Sequence, residues 1–202
     1  VPWSPEDPKL YTLTVESGEG SIDRPLGIRR LVPDGVQFKL NGKPYYLRGV
    51  CEHCYYPITI HPNRDISFYR DIIKQMKELG FNMLRKHIKI EPEYFYYACD
   101  RLGMIVWQDM VCGGKYFVPM TQQYLPFIGI HLRDDRHYSW MGRGDEGGRL
   151  QFESDLDETV QLLYNCVSLG LWVPFNEGWG QFDALKYTQM LWDMDPTRLV
   201  DS

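Results

Sequence analysis

From Leu47 to Val200 the chain repeats one unit, a short apolar run followed by a stretch of helical periodicity, and this repetition is its strongest constraint on fold. Leu47 to Val50 reads as a short strand. Asp65 can cap a helix whose apolar positions Tyr69, Ile72, Ile73, Met76 and Leu79 share one face, with Gly80 ending it. Phe81 to Arg85 is the next strand. Pro92, at a first-turn position, opens a helix through Tyr94, Phe95, Ala98 and Leu102 that Gly103 closes. Met104 to Trp107 is a third strand. A helix with Leu156, Val160, Leu163, Tyr164 and Val167 on one face leads to the strand Leu171 to Phe175. A last helix around Leu185, Thr188 and Trp192 ends near Asp195-Pro196, and Arg198 to Val200 begins a fifth strand.

Short apolar strands separated by helices indicate an α/β protein with a parallel sheet. A (β/α)8 barrel and a doubly wound sheet both fit the alternation. The barrel is favoured because polar residues recur just past the strand ends: Arg85 and His87 after the second, Asp109 after the third, Asn176 and Glu177 after the fourth. No Gly-x-Gly-x-x-Gly follows a strand, so a dinucleotide site lacks support. If the fold is a barrel, the chain stops about halfway round. The Gly- and Asp-rich segment from roughly Asp109 to Glu153 is too long for an ordinary connection and is expected to be a functional loop.

The region before Leu47 reads as β structure. Tyr11 to Val15 alternates, Gly18 to Gly20 turns, Gly27 to Val32 is a second strand candidate, and Pro33-Asp34-Gly35 punctuates. Val36 to Leu40, Asn41-Gly42 and Pro44 to Leu47 form a hairpin pattern, because Asn-Gly supplies the positive φ angles of a type I′ turn. Two or three strands cannot make a stable sandwich alone.

The net charge of −5 and the absence of any Lys/Arg run longer than a pair argue against a nucleic-acid partner. No apolar stretch approaches the roughly 20 residues that span a bilayer, so no membrane partner is expected. Val1 begins without a charged leader, and any export signal would lie upstream, which leaves a cytoplasmic or periplasmic location open. Five cysteines cannot all pair within the chain, and free thiols lean towards a reducing compartment. Cys51-Glu52-His53-Cys54 superficially offers zinc ligands, but no second Cys-x-x-Cys or His-x3-5-His completes a tetrahedral site, so neither metal nor cofactor is expected. Six tryptophans and fourteen tyrosines exceed what a core of this size requires, and beyond packing they suit sugar stacking or an interface, a homo-oligomer included.

Chemistry concentrates in Leu171-Trp172-Val173-Pro174-Phe175-Asn176-Glu177-Gly178-Trp179-Gly180, where an apolar run ends in an amide, a carboxylate, two glycines and an indole. An apolar strand is a rigid base, its C-terminal end points the following side chains into a cleft, and glycine lets the backbone pass close to a ligand. A lone Asn-Glu pair would read instead as a solvated strand-to-helix turn.

The motifs together resemble glycoside hydrolase family 2, the β-galactosidase, β-glucuronidase and β-mannosidase clan. Trp3-Ser4-Pro5-Glu6-Asp7-Pro8-Lys9-Leu10-Tyr11 and Gly27-Ile28-Arg29 are similar to the late strands of its immunoglobulin-like domain. Leu40-Asn41-Gly42-Lys43-Pro44 through Leu47-Arg48-Gly49-Val50 look like the hairpin leading into its barrel and the first barrel strand. Gly80 to Lys89, Cys99-Asp100-Arg101-Leu102-Gly103, Trp107-Gln108-Asp109-Met110 and Phe175 to Gly180 look like successive barrel motifs. The resemblance implies residues 1–32 as the end of an immunoglobulin-like β-sandwich, and residues 33–202 as the hairpin and the first half of a catalytic barrel.

The same resemblance implies a retaining β-glycosidase acting on a carbohydrate. Glu177 would be the general acid/base, Asn176 would hydrogen-bond the substrate's 2-hydroxyl, and Arg85 would support the catalytic carboxylates, its other reading being an ion pair at the barrel mouth. His87 and Asp109 would line the pocket or order loops. Trp107 and Trp179 would stack on a sugar face or serve as wall. The family's nucleophilic glutamate lies on a later strand, beyond Ser202; nothing favours Asp109 as a substitute, and the isolated chain is expected to be inactive. Cys51-Glu52-His53-Cys54 and Met110-Val111-Cys112-Gly113 stand where the clan's galactosidases carry Asn-Arg-His-Glu and a magnesium-binding Glu-x-His, and Asn165-Cys166-Val167-Ser168 replaces Asn-His-Pro-Ser. These departures leave galactose specificity and magnesium without support. The alternative is a carbohydrate-binding pseudoenzyme on the same fold.

Overall fold

The computed structural model describes residues 1–53, 55, 65–114, 117–130, 132–176 and 180–201. Among these, β1 (Tyr11–Ser17) and β2 (Gly20–Leu26) form an antiparallel hairpin, and β3 (Leu31–Asp34), β4 (Gln37–Leu40) and β5 (Lys43–Tyr45) form a three-stranded antiparallel sheet. The alternating part follows as β6 (Gly49–Glu52), α1 (Ile66–Glu78), β7 (Met83–Lys86), α2 (Glu93–Leu102) and β8 (Ile105–Asp109). A connection with a π-helical turn at Met120–Tyr124, the short α3 (Leu125–Phe127) and a 3-10 turn at Tyr138–Met141 leads to α4 (Glu146–Leu163), β9 (Leu169–Val173), α5 (Ala184–Met194) and β10 (Leu199–Val200).

Strands β6 to β10 build one parallel sheet whose spatial order is their order in the chain. Its two faces are covered differently. Val50, Leu84, Val106 and Trp172 join one apolar cluster with Tyr69 and Ile73 of α1, Phe95 and Ala98 of α2, Leu156 and Val160 of α4, and Tyr187 and Leu191 of α5. Met83, Ile105, Trp107 and Leu199 instead pack with Trp3, Leu31, Phe38 and Leu40. Helices on one face and an unreversed strand order describe the wall of a barrel; a doubly wound sheet reverses its order and carries helices on both faces. The β3–β5 sheet therefore closes one end of the barrel interior.

Several sequence expectations shift. The barrel strands lie about two residues from their expected positions, and the second strand of the first hairpin is Gly20–Leu26, paired with β1, in place of Gly27–Val32. Pro33-Asp34 belongs to β3, which pairs with β4 through Val32 opposite Lys39 and Pro33 opposite Phe38. The long connection ends at Asp145, whose side chain accepts the Gly148 amide and caps α4, so residues 146–153 are helical. Leu185 and Trp192 are exposed, and α5 buries Tyr187, Thr188 and Leu191. Leu79 and Tyr164 likewise face solvent.

The N-terminal segment is anchored under the barrel. The Trp3 indole is fully buried and donates to the Asp100 carbonyl at 2.8 Å, and Asn41 donates to the Trp3 carbonyl at 2.9 Å. Gly103, at φ +76° after α2, meets Pro5 so closely that a Cβ there would lie 2.5 Å from the Pro5 carbonyl oxygen.

Candidate active site

Side chains alternate along a strand, so Arg85, Trp107 and Asp109 face the barrel interior while Lys86 and Gln108 face the helices. Arg85 Nε donates to Asp109 Oδ1 at 2.7 Å and its Nη2 to Asp109 Oδ2 at 3.1 Å, a bidentate pair. The same Nη2 donates to Asn176 Oδ1 at 2.9 Å. One guanidinium thus ties together the ends of β7, β8 and β9. Burial works against the Arg85 cation, but the hydrogen bonds and charge of Asp109, with help from Cys51 and Asp201, prevail and hold its pKa above the ordinary value. Asp109 is fully buried and Asn176 nearly so.

His87 Nδ1 lies 3.2 Å from Asp109 Oδ2 but out of line for a hydrogen bond. Its ring meets that of His53 edge-on at 4.5 Å between centroids. Ile88 adopts φ +48°, a costly conformation for a β-branched residue, and its amide donates to Asp109 Oδ2 at 3.4 Å. Trp107 packs edge-on against Phe38 at 6.0 Å, over the end closed by β3–β5, and its buried Nε1 has no hydrogen-bond partner among the described residues. Of the expected site residues, Arg85, His87, Asp109 and Asn176 converge, and Trp107 forms the wall beneath them. Glu177 and Trp179 lie outside the described residues, as does Cys54. Cys51 faces Arg85 whereas Glu52 pairs with Lys86 on the helix side, so these two neighbours cannot turn to one metal.

Three further residues meet the site without having been singled out as site residues in the sequence. Asp201 follows β10 as Asp109 ends β8, and its charge reaches Arg85; the strand-end rule would have found it. Burial raises the pKa of the Cys112 thiol, against the opposing pull of the nearby Asn176 amide and the Arg143 and Arg85 charges. Arg143 is buried, and its Nε donates to the Gly180 carbonyl. Behind the sheet, Lys86 Nζ binds Glu52 and Glu91 (2.9 Å to the latter), the Tyr69 hydroxyl donates to Glu91 at 3.1 Å, and the Tyr96 hydroxyl donates to Gln108 at 2.6 Å. Gln108 in turn donates to the Lys89 and Asp109 carbonyls at 2.8 and 2.7 Å. Each charged residue facing the interior is thereby backed by a hydrogen-bonded neighbour on the same strand.

A cleft of about 720 Å³ opens beside this cluster, between Val111–Gly114 and the start of α4, with Arg143, Phe152 and Asp155 in its lining. Arg85, His87, Asp109 and Asn176 do not line it.

The chain is similar to known proteins. A β-galactosidase of Enterobacter cloacae is 32% identical over 207 residues, covering 98% of this chain and 18% of that protein. A β-galactosidase of Vibrio vulnificus (strain YJ016) is 37% identical over 127 residues, covering 59% of this chain and 12% of that one. The chain thus spans less than a fifth of the length of these relatives. Among solved structures, a β-D-glucuronidase from Dictyoglomus thermophilum superposes with a TM-score of 0.76 over 99% of this chain and 34% of its own, at 19% identity, a likeness of fold. Residues 32–202 match the family description "Glycosyl hydrolases family 2, TIM barrel domain", and with the consecutive strand order and helices on one face, the chain belongs to glycoside hydrolase family 2.

Proposed function

We propose that this chain supplies the acid/base half of a retaining β-glycosidase. The observation that carries the reading is the Arg85 guanidinium, which fixes Asn176, the residue directly before Glu177, to the Asp109 carboxylate. With Oδ1 engaged by Arg85, the Asn176 amide is oriented to donate to a sugar hydroxyl, the 2-hydroxyl in this reading. Glu177 protonates the departing glycosidic oxygen, and after a glycosyl-enzyme intermediate forms on a second carboxylate it takes a proton from the attacking water. That second carboxylate belongs to residues outside 1–202. His87 and Asp109 border the sugar site, and Trp107 and Trp179 flank it. Residues 1–32 are the end of an immunoglobulin-like sandwich and 33–202 the first half of the barrel. The substrate is a β-glycoside, as the names of the galactosidase and glucuronidase relatives suggest.

In the complete polypeptide, Glu177→Gln should lower the rate on substrates with poor leaving groups by about 10²–10⁴-fold. The loss should nearly vanish for the first step with a dinitrophenyl glycoside, whose departure needs no proton. Azide should rescue Glu177→Ala and yield a β-glycosyl azide of retained configuration. Equal losses for every leaving group, with an α-azide product, would make Glu177 the nucleophile and reverse the assignment.

A further inference from the structure

We infer that Arg143 is a positioning residue for the segment that carries Glu177, an assignment that rests on the acid/base reading above. The segment from Asn176 to Gly180 is held at both ends. At its start Arg85 Nη2 donates to Asn176 Oδ1 at 2.9 Å. At its end Gly180, at φ +62°, lies against Gly113 so closely that a Cβ on Gly180 would stand 2.1 Å from the Gly113 carbonyl oxygen. Arg143 completes the hold, its Nε donating to the Gly180 carbonyl at 2.5 Å.

A hydrophobic side chain would fill this space as well. Arg143 is 4% exposed, and no carboxylate among the described residues pairs with it. Its Nη2 is buried without a hydrogen-bond partner there. Burial lowers its pKa. A desolvated cation without a counter-ion is unfavourable. The rings of Phe152 and Phe182, with centroids 5.2 and 4.9 Å from the guanidinium carbon, offset part of that cost. What the cation contributes beyond packing is a charge-assisted donor fixed on the Gly180 carbonyl. Glu177 stands three positions before Gly180 and one after Asn176. Fixing the described residues on either side, Asn176 and Gly180, is how Arg143 would serve the Glu177 carboxyl in this proposal, and misplacement by about 1 Å can cost on the order of 10²-fold in rate.

The test uses Arg143→Lys and Arg143→Met in the complete polypeptide, assayed on a phenyl and a 2,4-dinitrophenyl β-glycoside. Positioning of the acid predicts that Arg143→Met loses about 100-fold in kcat/KM on the phenyl substrate, yet stays within about threefold on the dinitrophenyl one. Arg143→Lys, whose ammonium can reach the same carbonyl, should recover part of the loss, and it carries the comparison alone if the methionine variant does not fold. A merely structural arginine would lower both substrates equally by reducing the folded fraction. Equal losses, or no loss on either, overturn the proposal. Glu177→Gln runs alongside: if it lacks leaving-group dependence, the reading of Glu177 fails, whereas dependence there with uniform losses at Arg143 refutes the positioning role alone.

Discussion

Asp100 is a buried acid whose titration should be visible in stability. Its Oδ1 accepts the Ser168 amide at 2.7 Å, but burial outweighs that bond and the Arg198 charge, and its pKa is raised from 3.8 to about 6. Between those values the native chain holds a proton that the unfolded chain has released, so this contribution is full below pH 3.8 and is lost as pH rises through about 6. The gap corresponds to roughly 3 kcal/mol. Asp100→Asn keeps an acceptor for Ser168 and cannot ionise. Urea midpoints from pH 4 to 7 should therefore move in favour of the variant relative to the parent chain. A difference that stays constant with pH would show that Asp100 titrates normally. This residue, within Cys99-Asp100-Arg101-Leu102-Gly103, stood out in the sequence as part of a motif; its burial did not, because burial here depends on Trp3 and Ser168, 97 and 68 positions away.

At the scale of elements, patterns set within one segment were legible and those set between segments were not. Asp65 caps α1 by accepting the Ser67 amide, and Gly103 ends α2 in the left-handed region, both local chemistry. The buried face of α5 is not legible in the sequence, because Leu185 and Trp192 are apolar yet exposed, and only the position of β9 and α4 decides that Tyr187 and Leu191 turn inward. Arg85, Asp109 and Asn176 could be picked out as strand-end polar residues, whereas the bonds that join them follow from strand register. Gly103 shows the coupling of the two kinds of constraint. An alanine there would take up both the strained φ of +76° and a contact of 2.5 Å with the Pro5 carbonyl oxygen. Left-handed strain for a non-glycine residue costs about 1 kcal/mol or more. Relieving the clash would also loosen Lys77, whose Nζ donates to the Pro5 carbonyl at 2.6 Å and the Gly103 carbonyl at 3.1 Å. We expect Gly103→Ala to lower the thermal midpoint by several degrees. Faster amide exchange should appear in both the N-terminal segment and the end of α2, and loss confined to α2 would argue against the coupling.

For the whole molecule, the described sheet has two edges, β6 paired only with β7 and β10 only with β9. In a closed barrel those edges join through further strands, and the interior residues Arg85, Asp109 and Asn176 face side chains from the opposite wall. Retaining hydrolysis requires two carboxyl groups about 5–5.5 Å apart across the sugar. Asp109 is a poor candidate for the second one, since both its oxygens are held by Arg85 and it is fully buried. Under the proposed reading, then, residues 1–202 carry a proton donor and the groups that orient it, with no nucleophile to trap the sugar. The purified 1–202 chain should give no turnover of an aryl β-glycoside above background, even one with a dinitrophenyl leaving group that needs no acid. Turnover that Glu177→Gln abolishes would place a complete catalytic pair within these residues and defeat this division of labour.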